Sequence, residues 1–238
     1  MGVDLERLVR YPANSEDWAK FLLVGSVLTA LSVLIIPAVL LFGYFVRVLR
    51  AGMVEAAEPP GFADWRGLLY EGTVASVIVL VYQFVPLLIA AVTIGGTAAV
   101  FLTGADVGVG WGLAGLLAGL ALATLLAAVF GYVTLIGLAN YAYEGDLRAG
   151  FDLDVCRTVA FDGAYAVPWL YGVVVLVVGN VVAGVLGFVP IVGVLVVFYA
   201  QVAATWVWGK GFGDAMGIEA APGPRATVTE TVDRGPQP

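Results

Sequence analysis

The sequence of 238 residues contains no histidine and only one cysteine, Cys156. Without histidine the chain lacks the commonest general base and metal ligand, and every histidine-based catalytic triad is excluded. A single cysteine excludes an intrachain disulfide and a thiolate metal cluster. A phosphate-binding loop with its lysine is also missing. We therefore expect no catalytic residues, no metal site and no cofactor, and we do not expect an enzyme.

Charged residues are scarce as well. Only 12% of the residues are charged and 61% are hydrophobic, whereas an ordinary soluble domain is about 25% charged. The 11 basic and 18 acidic residues give a net charge of -7, so we expect no nucleic-acid partner. This composition argues against a soluble globular protein and against a disordered one. It predicts an integral membrane protein whose first partner is membrane lipid.

The charges are absent from four long stretches, and these stretches predict the spanning helices. A helix needs about 20 apolar residues to cross a bilayer, and the stretches do not alternate in polarity as barrel strands would. We therefore expect an all-α bundle over residues 21–214, after a short N-terminal segment (1–20) and before a disordered tail (215–238). The five expected spans are 21–46, 73–102, 110–142, 165–186 and 189–208.

Lysine and arginine predict the orientation of this bundle. With five spans, eight of the eleven basic residues fall on the side of the long loops and the C-terminus, which the positive-inside rule places in the cytoplasm. The N-terminal segment, with Arg7, Arg10 and Lys20, would then be external, and the chain would be a multi-pass protein of the cell membrane. Alternatively, residues 21–46 form a re-entrant hairpin, which puts both termini and all the basic residues on one side.

Two charged loops carry apolar stripes at helical spacing and predict amphipathic helices near 62–71 and 151–162, lying in the membrane interface. Such helices either cover the ends of the bundle or form a docking surface for a protein partner or lipid headgroups. The candidate docking residues are Phe62, Asp64, Trp65, Phe151 and Val155.

Four polar side chains fall within the expected spans: Gln83, Asn140, Asn180 and Gln201. They either form interhelical hydrogen bonds or line a path for a small solute. No acidic or basic residue lies in the middle of a span, as proton pumps usually require. Glycines spaced four residues apart, at 108/112 and 115/119, and the small residues at 179/183/187, predict close helix packing. That packing would build either a compact bundle or a homo-oligomer.

Several short motifs are distributed along the chain. They are Arg10-Tyr11-Pro12, Glu16-Asp17-Trp18, Ile35-Ile36-Pro37, Gly43-Tyr44 with Arg47 and Arg50, Pro60-Gly61-Phe62-Ala63-Asp64-Trp65, Phe198-Tyr199 and Gly209-Lys210-Gly211-Phe212. These motifs resemble a family of archaeal membrane proteins, domain of unknown function 4013, over roughly residues 7–214. The two lysines against nine arginines resemble the usage of salt-loving archaea. The resemblance implies an archaeal cell-membrane protein and carries no known activity.

These observations leave three functional hypotheses. The first is an accessory or scaffolding component of the membrane. The second is a carrier or channel for a small neutral or lipid-like solute. The third is a membrane enzyme that uses loop carboxylates, which include Asp152, Asp154 and Asp162.

Overall fold

A computed structural model of the protein describes residues 5–14, 17–103 and 109–220. The described residues form α-helices and two short 3-10 helices, without any strand. The α-helices are α1 (Leu5–Arg10), α2 (Trp18–Ala30), α3 (Ile35–Met53), α4 (Trp65–Thr103), α5 (Val109–Glu144), α6 (Leu153–Ala160), α7 (Gly163–Val185) and α8 (Pro190–Met216). The 3-10 helices are Tyr11–Ala13 and Leu147–Phe151.

Five of these helices, α3, α4, α5, α7 and α8, are long and apolar enough to cross a membrane. The expectation of an all-helical bundle of membrane-spanning length is therefore confirmed. The expected disordered tail differs at its start, because α8 continues to Met216 and ends at Gly217, whose φ of 67° is the left-handed conformation that glycine favours. Residues 221–238 of that tail lie outside the described residues.

The expected first span, 21–46, is not one helix. The chain turns at residues 31–34, so α2 and α3 are separate helices that contact each other. Pro37 lies in the first turn of α3, where its missing N–H would have had no helical partner. Since α2 has 13 residues, it is about 20 Å long and shorter than the hydrocarbon core. Residues 21–46 therefore belong to two helices joined by a turn, as in the hairpin alternative and not as in a single span. Because α3 is itself of spanning length, the re-entry of this hairpin into the membrane stays a prediction.

This hairpin brings the N-terminal segment to the end of the bundle that holds the loops. Asn14 donates a hydrogen bond to the carbonyl of Ala57 in the α3–α4 loop (3.2 Å), and the Tyr11 ring lies 5.1 Å from the Trp206 ring of α8. The expected separation of the N-terminus from the long loops is therefore wrong. We call this end of the bundle, where α3, α5 and α8 end and α4 and α7 begin, the charged end.

The two expected interfacial helices differ in outcome. No separate helix exists near 62–71, because α4 begins at Trp65 and continues to Thr103. The reason lies in the packing: Leu68 is buried and Gly72 meets the α3 backbone at Val39, so one helix face packs continuously on α3. The second expected helix does exist as α6, although it is shorter than 151–162. Its position in a membrane interface stays a prediction.

Close glycine contacts hold the spanning helices together. A Cβ at Gly43 would meet the Leu68 carbonyl of α4, and a Cβ at Gly209 would meet the Leu49 carbonyl of α3. The antiparallel pair α7 and α8 packs Gly179 against Ala200, and Ala183 is buried as well. Gly187 lies beyond the end of α7 and is exposed, so two of the three small residues at 179/183/187 pack inside the bundle. The glycines at 115/119 on α5 differ in their surroundings. Gly119 faces Thr93 of α4, whereas open space surrounds Gly115. Gly108 lies outside the described residues.

Candidate functional site

Arg47 organises one half of the charged end. Its Nε donates to a carboxylate oxygen of Glu71 (2.8 Å), and its Nη2 donates to Asp64 (2.9 Å). Arg50, one turn further on α3, donates to the Ala142 carbonyl of α5 (2.8 Å) and to Glu71 (3.4 Å). Because the Arg47 side chain is only 17% exposed, its charge needs these partners. The network joins α3, α4 and α5.

Asp64 also begins α4. Its carboxylate accepts the main-chain N–H of Gly67 (3.0 Å), as a helix-capping side chain does. The hydrogen bond from Gly67, followed by the one from the Arg47 guanidinium, holds the pKa of Asp64 below its usual value. Asp64, which the sequence suggested as a docking residue, is therefore an ionised residue that caps α4 and pairs with Arg47 of the same chain.

Glu55 organises the other half. Its carboxylate accepts hydrogen bonds from Arg7 (2.7 Å) and from Lys210 of α8 (2.7 Å), and Lys210 also donates to Asp214 (3.1 Å). The backbone of Glu55 adopts a φ of 50°, which is costly for a residue with a Cβ. The N-terminal segment, the α3–α4 loop and α8 are thus tied through one side chain, a contact that no sequence pattern indicated.

The two aromatic candidates near the start of α4 have different roles. Phe62 stacks on buried Tyr44 with 4.3 Å between ring centroids, so it belongs to the core. Trp65 is 45% exposed and lies on a cleft of about 440 Å³ that also contacts Lys20 and Phe21 of α2. Of this expected docking pair, only Trp65 presents a large apolar surface to the outside.

The second pair of candidates, Phe151 and Val155, packs inward. Phe151 stacks on Tyr82 of α4 with 5.7 Å between ring centroids, and Val155 contacts the bundle core. The same segment buries Cys156, and burial raises the pKa of its thiol. The exposed apolar side chains at the ends of α6 are instead Leu153 and Phe161, which sequence reasoning did not single out.

The loop carboxylates serve as helix caps. Asp146 accepts the N–H of Arg148 (3.0 Å) at the start of a 3-10 helix, Asp152 accepts two N–H groups at the start of α6, and Asp162 accepts the N–H of Ala164 (2.8 Å) at the start of α7. In the described part of the chain no three acidic or cysteine side chains are grouped to hold a metal ion. These carboxylates therefore have a structural explanation.

The four polar residues of the spans are not brought together. Asn140 donates to the Ala149 carbonyl (2.9 Å), and exposed Asn180 donates to the Leu176 carbonyl of its own helix (2.8 Å). Gln83 lines a cavity of about 430 Å³ between α4 and α5, whereas Gln201 lines one of about 220 Å³ between α3, α5, α7 and α8. The two glutamines therefore face two different cavities.

A family model described as "Protein of unknown function (DUF4013)" matches residues 30–188, more than half of the chain. The chain belongs to this family. The match confirms the family resemblance, although it covers residues 30–188 and not the expected 7–214, so the motifs at residues 10–18 and 198–212 lie outside it. No curated protein and no solved structure matches the chain.

The DUF4013 match begins at the last residue of α2 and ends just before α8. It includes Glu55 but leaves out both of the basic residues that Glu55 binds, Arg7 and Lys210. It likewise includes Gln83 but not Gln201. In this chain α8 thus completes the charged end and the smaller cavity from outside the matched region.

Proposed function

We propose that this DUF4013 protein is an accessory component of the cell membrane that holds a protein partner within the bilayer and catalyses no reaction. The observation that carries the proposal is the outer half of the α4–α5 hairpin. None of the described side chains at 87–103 or 109–122 is buried, and these stretches carry no charge. Here the two helices extend beyond the packed bundle.

The hairpin is longer than a membrane span requires. Helices α4 and α5 have 39 and 36 residues, which corresponds to about 58 and 54 Å, against about 30 Å of hydrocarbon. Open space surrounds four glycines near the hairpin tip, Gly95, Gly96, Gly112 and Gly115. Glycine surfaces allow the helix of another protein to approach closely in a bilayer, so this hairpin suits a membrane-embedded partner.

The charged end supports an anchoring role. Its buried arginine and lysine groups are neutralised by internal partners, and four aspartates, Asp64, Asp146, Asp152 and Asp162, cap helix starts. These contacts make a firm base for the hairpin. Since Arg7, Arg47, Arg50 and Lys210 all lie at this end, the positive-inside rule favours a cytoplasmic position for it and for both termini.

The two alternative functions have less support. A carrier for a small neutral or lipid-like solute needs a path, but Gln83 and Gln201 line separate cavities and Asn180 is on the outer surface. An enzyme using loop carboxylates would need Asp152 or Asp162 for chemistry, although both already accept main-chain hydrogen bonds.

Affinity purification of the tagged full-length chain from its native membranes, in mild detergent with quantitative mass spectrometry, tests the accessory role. We expect a stoichiometric protein partner that is lost from the Gly112→Leu, Gly115→Leu double variant. Gly184→Leu is the matched control, because Gly184 is an equally open glycine on α7. A partner retained by the double variant, or a homo-oligomer free of other proteins, would contradict the proposal.

A further inference from the structure

The smaller of the two glutamine cavities lies inside the four-helix part of the bundle. Its volume is about 220 Å³, and its lining includes the apolar side chains Phe42, Phe45, Leu138 and Leu176. None of the described residues that line it is acidic or basic. The helices that enclose it are all of membrane-spanning length, so a molecule that enters the cavity comes from the hydrocarbon of the bilayer and not from water.

Gln201 provides the open hydrogen-bonding group of this cavity. Its side-chain oxygen Oε1 is buried and accepts no hydrogen bond from the described residues. The polar groups of the other lining side chains are occupied: the Thr205 hydroxyl donates to the main-chain carbonyl of Gln201 (2.7 Å), and Trp208 Nε1 donates to the Trp169 carbonyl (3.1 Å). A buried amide oxygen that accepts no hydrogen bond is energetically unfavourable, and a ligand that donates a hydrogen bond to it would remove this cost.

We propose that this cavity binds a small neutral molecule dissolved in the membrane, with an apolar body and one hydroxyl group that donates to Oε1 of Gln201. A charged ligand is excluded because no opposite charge lines the cavity. Water alone fits poorly, since a buried water needs two to four polar partners and, of the lining residues, only Gln201 offers it an open polar group. The inference does not depend on the accessory role.

The cavity at Gln83 provides the comparison. There too the side-chain oxygen is buried without a partner among the described residues, but the amide Nε2 donates to the Ala127 carbonyl (3.4 Å) and the lining belongs to α4 and α5 only. Gln83→Leu removes the same kind of side chain from a different cavity, so it is the matched control for Gln201→Leu.

The test uses two probes of similar shape, 4-fluorophenol and 4-fluorotoluene, which differ by a hydroxyl in place of a methyl group. Saturable binding to the full-length protein in detergent micelles is followed by ¹⁹F NMR, and each affinity is corrected for partition into empty micelles. We expect 4-fluorophenol to bind about fivefold more tightly, the ratio that one net hydrogen bond provides. In Gln201→Leu this preference should disappear, and in Gln83→Leu it should remain.

A third variant makes the test independent of folding effects at Gln201. Leu176→Trp fills the cavity from its partly exposed side, and we expect saturable binding of both probes to be lost. Equal affinities of the two probes for the wild-type protein would overturn the proposal without any variant. It would also be overturned if the hydroxyl preference survived in Gln201→Leu or if Leu176→Trp still bound both probes.

Discussion

Glu55 and Lys210 are separated by 155 positions in the sequence, yet Oε1 of Glu55 lies 2.7 Å from Nζ of Lys210. Arg7 binds the other oxygen of the same carboxylate at 2.7 Å. Three distant segments therefore meet at a residue whose own backbone is in the left-handed region. This relationship fixes the N-terminal segment and α8 against the loop between α3 and α4.

Two substitutions at Glu55 separate its charge from its backbone conformation. Glu55→Ala and Glu55→Gly both remove the two ion pairs, but only glycine adopts a φ of 50° without a steric penalty. We expect both variants to be less stable than the wild type and Glu55→Gly to be more stable than Glu55→Ala by about 1 kcal/mol. Reversible denaturation in mixed micelles measures the difference, and an alanine variant as stable as the glycine variant would refute it.

The glycines divide into those that permit helix contact and those that face open space. A Cβ at Gly43 would collide with the Leu68 carbonyl, and one at Gly72 with the Val39 carbonyl. We expect Gly43→Ala and Gly72→Ala to destabilise the protein by about 1–3 kcal/mol, because two backbones would have to separate.

Gly115→Ala is the matched control for these two variants, because open space surrounds Gly115. We expect it to stabilise α5 by about 0.5–1 kcal/mol, the helix preference of alanine over glycine. Thermal unfolding in detergent compares the three variants, and equal melting temperatures for Gly43→Ala and Gly115→Ala would show that the contact is absent.

The fold predicts that Asn14 and Glu219, near the two ends of the chain, lie on the same side of the membrane. In a Cys156→Ser background, an impermeant maleimide should label Asn14→Cys and Glu219→Cys under the same conditions, either in intact cells or only in opened ones. Gly104→Cys, in the connection between α4 and α5, should show the opposite accessibility, because α4 is of spanning length. Opposite labelling of Asn14→Cys and Glu219→Cys would restore the single-span reading of residues 21–46.

Asp152 and Asp154 distinguish a capping role from a chemical one. Asp152→Ala should cost about 1 kcal/mol because the start of α6 loses its cap, whereas Asp152→Asn retains a capping oxygen and should cost much less. Asp154 is exposed and its carboxylate caps nothing, so we expect Asp154→Asn to change stability by less than about 0.5 kcal/mol. A cellular phenotype lost in a stable Asp152→Asn or Asp154→Asn protein would favour the membrane-enzyme hypothesis.

Charge and hydropathy located most of the helices but not their breaks. The charge-free stretches marked where α4, α5, α7 and α8 lie, because each of these helices must be apolar around its whole circumference in lipid. The turn at 31–34 was predicted only as an alternative to one continuous span, because its residues are as apolar as the helices beside it. The start of α4 was placed too late for the opposite reason: charged residues can occupy the first turns of a long helix.

The sequence predicted the fold better than it predicted the residues of the candidate site. Phe62, Phe151 and Val155 form apolar stripes that look the same whether they face a membrane interface or a bundle core, and the structure packs all three inward. Gln83, Asn180 and Gln201 were equivalent candidates for a solute path in the sequence, because hydropathy does not tell which face of a helix a residue occupies.

The sequence motifs were enough to place this protein in the DUF4013 family. Composition and the spacing of charges were enough to predict an all-helical bundle with helices of membrane-spanning length, because the bilayer admits few backbone architectures. The three-dimensional contacts alone reveal that the N-terminal segment returns to the charged end, that Glu55 joins Arg7 to Lys210, and that the side-chain oxygen of Gln201 faces a cavity without a donor from the described residues. Each of these depends on contacts between residues far apart in the chain, and such contacts are set by the packing of whole helices and not by any local pattern.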